Sequence, residues 1–118
     1  MSYTKVDLGT EDNLFAIWGS GPNDIFVVGT RVLHYDGARW SDVGVEVEED
    51  TRFSAVWGRS PSEVYVASTG GHVLRYDGVS WSPLETGFSG AIYELHGTTN
   101  TRLRLVGQGG AILSLGPL

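Results

Sequence analysis

The sequence contains no cysteine and few basic residues, and each shortage excludes or disfavours a class of function. Without cysteine, disulfide bonds, thiolate catalysis and cysteine-ligated zinc sites are all excluded. Eight Lys and Arg residues stand against 14 Asp and Glu residues, which gives a net charge of −6. Because nucleic-acid binding depends on basic side chains that neutralise phosphates, this balance predicts no nucleic-acid partner.

Long apolar runs and targeting signals are also missing from the sequence. No apolar stretch approaches the ~20 residues that span a bilayer. The N-terminus has no basic segment followed by an apolar one. We therefore expect a soluble protein without a membrane partner, cytoplasmic by default, with secretion as the open alternative.

Motifs for catalysis and cofactor binding are absent as well. There is no nucleophile elbow, phosphate-binding glycine loop or His-x-x-x-His pair. His34, His72 and His96 fall at positions that are not occupied by histidine in the other repeats described below. An acidic run at residues 46–50 fits a solvated loop better than a calcium site. The sequence therefore predicts no enzyme, no cofactor and no metal site.

What the sequence does contain is an internal repeat with a period near 40. Residues 14–19 (LFAIWG) return as residues 53–58 (FSAVWG) and more faintly as residues 92–97 (IYELHG), each time 39 positions later. Residues 32–40 (VLHYDGARW) similarly return as residues 73–81 (VLRYDGVSW). The chain also has 17 glycines, five tyrosines and four tryptophans. This period in a chain rich in turns and aromatic residues predicts an all-β fold built of β-propeller blades.

Each unit is predicted to form a four-stranded blade. The second strands of the first two units, residues 25–28 and 64–67, are apolar on both faces, so we expect neighbouring blades to cover both sides. The outer strands begin at Trp40 and Trp81, after Asp-Gly hairpin turns. The other predicted segments are first strands at residues 14–18, 53–57 and 92–96, proline-containing turns at 20–24 and 59–63, and strands at 103–106 and 111–115 in the third unit.

The repeats do not start where the chain starts. The third unit stops after its third strand, whereas residues 3–8 precede the first unit where outer strands precede the other two. Counted from the outer strand, the single domain 1–118 divides into blade repeats 3–39, 40–80 and 81–118. The sequence therefore predicts three blades in circularly permuted register.

Three blades are too few to close a propeller, which typically has four to eight. An open set of three would expose two apolar faces and an unpaired strand edge. Two chains would supply six blades, and two-fold dimers are the commonest symmetric assembly. The sequence therefore predicts a homodimer that forms a six-bladed ring, in which residues 3–8 of one chain complete the blade ending at Leu115 of the other. The alternative is that these blades are part of one longer propeller.

Residues 64–84 resemble a kelch-type blade, because paired glycines (70–71) follow the second strand and Trp81 opens the outer strand. The period is shorter than the kelch period of about 50, and the first unit lacks the paired glycines. Residues 36–40 (DGARW) and 77–81 (DGVSW) are similar to Asp-box turns that lack the preceding Ser or Thr. The plan of few blades per short chain is similar to small oligomeric propeller lectins. This resemblance implies glycan binding and carries over no catalytic residues.

Aromatic side chains are the strongest candidates for a binding site. Trp18 and Trp57 occupy equivalent positions at the ends of first strands, where their flat faces can pack blades together or stack on sugar rings. Trp40 and Trp81, which open the outer strands, fit packing more closely. The candidate ligand-binding residues are Trp18, Trp57, His96, Arg59, Arg31, Asp24 and Glu63.

Together these observations predict a non-enzymatic propeller that binds glycan through repeated weak sites and gains avidity from them. The alternative is a scaffold that binds a protein partner, or a structural part of a larger propeller. A hydrolase with carboxylates around the central channel is a third hypothesis, and no repeated pair of acidic residues on the first strands supports it.

Overall fold

The computed structural model describes residues 13–45, 52–97 and 102–116, which form three antiparallel sheets. We call these sheets blades 1, 2 and 3 in chain order. Within each blade, every strand pairs with its neighbour in sequence, so each sheet is a simple meander. Blade 1 holds β1 (Leu14–Gly21), β2 (Asp24–Gly29), β3 (Val32–Tyr35) and β4 (Trp40–Asp42); blade 2 holds β5 (Phe53–Ser60), β6 (Glu63–Ser68), β7 (Val73–Tyr76) and β8 (Trp81–Leu84); blade 3 holds β9 (Ile92–Gly97), β10 (Leu103–Gly107) and β11 (Ala111–Leu115), with a 3-10 turn at Gln108–Gly110.

The strands lie where the repeat predicts them, but the first strands of blades 1 and 2 are longer. β1 and β5 continue to Gly21 and Ser60, so the turns that follow shrink to residues 22–23 and 61–62. The five-residue turns expected from the sequence are shorter because Gly21 pairs with Asp24, and Ser60 with Glu63, after an irregular step in each ladder. In the described part of the chain, no helix is long and apolar enough to cross a membrane.

Each fourth strand comes from the start of the following sequence repeat. β4 begins at Trp40 and pairs with β3, and β8 begins at Trp81 and pairs with β7. The sheets are therefore one strand out of phase with the repeats. The outer strand predicted at residues 3–8 and the acidic run at 46–50 lie outside the described residues, within which blade 3 has three strands.

Two apolar cores lie between the blades, one joining blade 1 to blade 2 and one joining blade 2 to blade 3. The second strand of blade 2 supplies both: Val64 and Val66 face the first core, and Tyr65 and Ala67 face the second. This is the two-sided burial that its apolar sequence predicts. Blade 1 contributes Phe26, Val28 and Val32 to the first core, and blade 3 contributes Ile92, Leu95, Leu103 and Leu105 to the second.

The Asp-Gly turns close the outer hairpins of blades 1 and 2 in the same way. The Asp36 carboxylate accepts a 2.9 Å hydrogen bond from the Arg39 N–H, and this bond lowers the pKa of that carboxyl. Gly37 takes a φ of +100°, a left-handed conformation that glycine adopts without strain. Asp77 repeats the first feature and Gly78, with a φ of +99°, repeats the second.

Candidate functional site

Six of the seven candidate residues lie at one edge of the blades. This edge carries the turns at residues 22–23 and 61–62, and we call it the first-turn edge. Arg31 is the exception, because it lies in the β2–β3 turn at the opposite edge, 3.5 Å from Asp42. The six residues at the first-turn edge are Trp18, Asp24, Trp57, Arg59, Glu63 and His96.

The two candidate tryptophans close the junctions between blades. Trp18 of blade 1 lies against Gly58 of blade 2, where an added β-carbon would stand 2.5 Å from the indole. Trp57 lies against Gly97 of blade 3 in the same way, with a corresponding distance of 1.8 Å. Any side chain at either glycine would overlap the ring. The structure thus shows both indoles packing against the next blade, and their stacking on a ligand stays a prediction.

Around Trp57 the structure brings three other candidate residues together. The Arg59 guanidinium carbon lies 5.1 Å from the centre of the Trp57 ring, and the His96 ring lies 6.3 Å from it. Arg59 Nε is 3.4 Å from Glu63 Oε2. Tyr65 donates a 2.7 Å hydrogen bond to the same oxygen, and burial, aided by this bond, raises the pKa of Tyr65 to about 12. The junction of blades 2 and 3 therefore presents a cation and an anion beside aromatic rings.

A second polar group lies between blades 1 and 2. A 2.6 Å hydrogen bond joins His34 Nε2 to Asp24 Oδ1, and the Ser20 hydroxyl donates to Asp24 Oδ2 at 2.5 Å. The His34 ring packs on the Phe26 ring with centroids 4.4 Å apart. These side chains form one wall of a groove of about 300 Å³, which we call the interblade groove. Its other wall comes from blade 2 and includes Tyr76 and Trp81.

Sequence reasoning did not assign Phe26 or His34 to a binding site, although the strand pattern contains the signal. Phe26 pairs with Trp18 on one side and with His34 on the other, so all three side chains share one face of blade 1. Side chains two residues apart along a strand share a face of the sheet. The predicted strand pairs therefore place His34 on the same face of blade 1 as the candidate residue Trp18. The contribution of Tyr76 and Trp81 from blade 2 has no such signal, because it depends on how two sheets pack.

Two other cavities lie away from these side chains. One, of about 700 Å³, lies at the opposite edge of blade 2, between residues 70–74 and 83–89. The other, of about 490 Å³, is apolar and lies on the face of blade 1 that points away from blade 2. None of the seven candidate residues lines either cavity.

The acidic side chains of the first-turn edge are engaged by neighbouring groups. Asp24 bonds to His34 and Ser20, and Glu63 contacts Arg59 and Tyr65. In the described ranges, no group of three or more His, Asp and Glu side chains could hold a metal ion. The edge thus offers charged hydrogen-bonding groups and aromatic rings, which are suited to holding a polar ligand.

A comparison with solved structures confirms the fold. The structure "YCF48 bound to D1 peptide" is similar to this chain, with a TM-score of 0.76 and 20% sequence identity. The likeness covers 93% of this chain and 40% of that one, so this chain spans about two fifths of its structural relative. YCF48 is a β-propeller, and the predicted all-β fold of propeller blades is therefore confirmed. No protein-family model matches the chain, and no curated protein matches it.

Proposed function

We propose that this chain is a non-enzymatic binding module that holds a segment of another protein at its first-turn edge. The observation that carries this proposal is the interblade groove, where a carboxylate and aromatic rings from two blades face one space of about 300 Å³. Such a groove has the size and mixed lining that suit an inserted side chain.

Two observations favour a protein ligand over a glycan. Stacking on a sugar needs an open aromatic face, and part of each indole, Trp18 and Trp57, already packs against a glycine of the next blade, Gly58 and Gly97. The similar propeller, YCF48, is bound to a D1 peptide in its structure. That likeness is one of fold, so the peptide is an analogy for the class of ligand, and it says nothing of the ligand's sequence.

A peptide-display library and a glycan array, screened with the same tagged full chain, separate the two functions. We expect the selection to enrich peptides whose binding falls at least about tenfold in an Asp24→Asn variant, a loss of ~1.4 kcal/mol. Glu94→Gln, on the outer face of blade 3, is the control that removes one negative charge elsewhere. A glycan signal that a monosaccharide inhibits, and that Trp57→Ala removes from a folded chain, would instead support the lectin hypothesis.

The two-chain ring also stays a proposal, supported by the apolar outer face of blade 1. Phe15 and Ile17 are 52% and 67% exposed on this face, beside the apolar cavity of about 490 Å³. A second copy of the chain, or further blades of a longer propeller, would cover these side chains.

A further inference from the structure

The interblade groove combines a negative charge with aromatic rings. Asp24 lies at its wall, and the rings of Phe26, Tyr76 and Trp81 surround the same space. The Phe26 ring centre is 6.0 Å from that of Tyr76 and 5.9 Å from that of Trp81, and the latter two are 5.0 Å apart. A carboxylate beside aromatic faces is an environment that attracts cations.

Blade 2 carries an arginine, Arg75, at the position that matches His34 of blade 1. Tyr65 pairs with Arg75 across β6 and β7, as Phe26 pairs with His34 across β2 and β3. Glu63 then stands where blade 1 has Asp24, at the start of the second strand. The Nε of Arg75 is buried without a hydrogen-bond partner among the described residues, whereas Glu63 Oε2 contacts Arg59 and Tyr65. The same set of positions thus holds an arginine of the chain in blade 2.

Blade 1 has the carboxylate and the aromatic ring but not the cation. His34 is shorter than arginine and bonds to Asp24 within the wall, which leaves the space between the blades open. The described residues that line the groove include no lysine and no arginine. Phe26 is buried, so a guanidinium brought by a ligand would contact the half-buried rings of Tyr76 and Trp81 while its N–H groups reach the Asp24 carboxylate.

We propose that the interblade groove binds the guanidinium of an arginine side chain, and that this arginine anchors the partner segment. The inference rests on the proposed protein-binding function and names the group that the same site recognises. Trp81 reports on it directly, because its indole forms part of the groove wall.

The test is a titration of the ¹⁵N-labelled full chain with N-acetyl-arginine amide, followed by NMR at the Trp81 indole N–H. We expect saturable shifts that weaken with added salt, and no saturable shift with N-acetyl-norleucine amide, which lacks the charge. His34→Arg copies the arrangement of blade 2 and should weaken binding at least tenfold by supplying a competing cation. Asp24→Asn should weaken it similarly, while the charge-matched Glu94→Gln should bind as the unmodified chain does.

Three outcomes overturn the proposal: no saturable shift in the unmodified chain, equal binding of the norleucine compound, or undiminished binding by folded Asp24→Asn. If His34→Arg does not fold, Asp24→Asn and the salt titration decide the result. The proposed function and this inference are overturned by different results. A chain that binds the arginine probe but selects no peptide retains the groove and loses the protein partner, whereas selected peptides that bind without arginine overturn this inference alone.

Discussion

The outward faces of blade 1 and blade 3 occupy the two ends of the same row of sheets, and their side chains differ. On blade 1, Ile17 and Ile25 stand where blade 2 buries Val56 and Val64, so this end keeps the apolar pattern of a blade junction. Blade 3 does not keep it. Its outward face carries Glu94, His96, Arg104, Val106, Ile112 and Ser114, all exposed, and the first three replace Ala55, Trp57 and Tyr65 of blade 2.

The two ends of the row of blades therefore differ in polarity: the outward face of blade 1 is apolar and that of blade 3 is polar. Covering Ile17 and its neighbours removes apolar surface from water, which favours association. Covering blade 3 requires the desolvation of Glu94 and Arg104, which is favourable only if both charges find partners. A head-to-tail ring of two chains joins these unlike faces twice, so its stability depends on how well the charges on blade 3 are matched.

The largest expected effect comes from disrupting the packing between blades 2 and 3. This buried junction is the reference for the exposed outward faces of blades 1 and 3. Gly97→Ala places a β-carbon 1.8 Å from the Trp57 ring, and the two blades must separate to admit it. We expect the free energy of unfolding to fall by about 3 kcal/mol, measured by urea denaturation. Gly21→Ala is the matched control, because nothing lies within 4 Å of its added β-carbon, and it should change stability by no more than about 0.5 kcal/mol. Equal effects of the two variants would refute the role of the indole contact.

The second prediction compares the two ends by charging each one. Ile17→Asp on blade 1 should weaken self-association at least about tenfold, equivalent to ~1.4 kcal/mol, in sedimentation velocity across a concentration series. Ile17 is 67% exposed and Ile112 is 69% exposed, so Ile112→Asp on blade 3 is the matched variant.

The two variants also separate the modes of assembly. If two copies meet through their blade 1 faces, Ile112→Asp associates normally, whereas a head-to-tail ring is weakened by both substitutions. An unmodified chain that stays monomeric at all concentrations rules out coverage by a second copy.

The smallest expected effect concerns one position of the repeat that is buried in blade 2 and exposed in blade 3. Tyr65 is buried by blade 3 and has a pKa of about 12, whereas Arg104 at the same position of blade 3 is exposed. Because folding raises the Tyr65 pKa above its unfolded value of 10, the stability it gives is present below pH 10 and is lost as pH rises toward 12.

We therefore expect unfolding free energy at pH 11 to be about 1 kcal/mol lower than at pH 8 from this group. Tyr65→Phe should remove that part of the alkaline loss, in urea denaturation at both pH values. An unchanged pH dependence in this variant would contradict the assignment.

Much of the blade structure could be predicted because the repeat aligns equivalent positions at a fixed offset. The polar face of blade 3 was also within reach, since Glu94, His96 and Arg104 align with apolar or aromatic residues and alternate along two strands. The contact of Trp18 with Gly58 was not. A repeat shows that positions are equivalent, but whether residues of successive copies touch depends on the packing of two sheets, which local sequence does not encode. The interblade groove could not be predicted for the same reason, because its two walls come from different sheets.

Each junction between two blades contains a tryptophan of one blade and the glycine of the next blade against which its indole packs. The tryptophan and the glycine are adjacent in the repeat, as Trp57 and Gly58 are. One repeat therefore contacts the preceding repeat through its glycine and the following repeat through its tryptophan. Tandem duplication of one 39-residue unit would therefore lengthen the row without any new fit being needed. Blade 3 has His96 in place of this tryptophan, so a further blade packed after it would not be joined by the same contact.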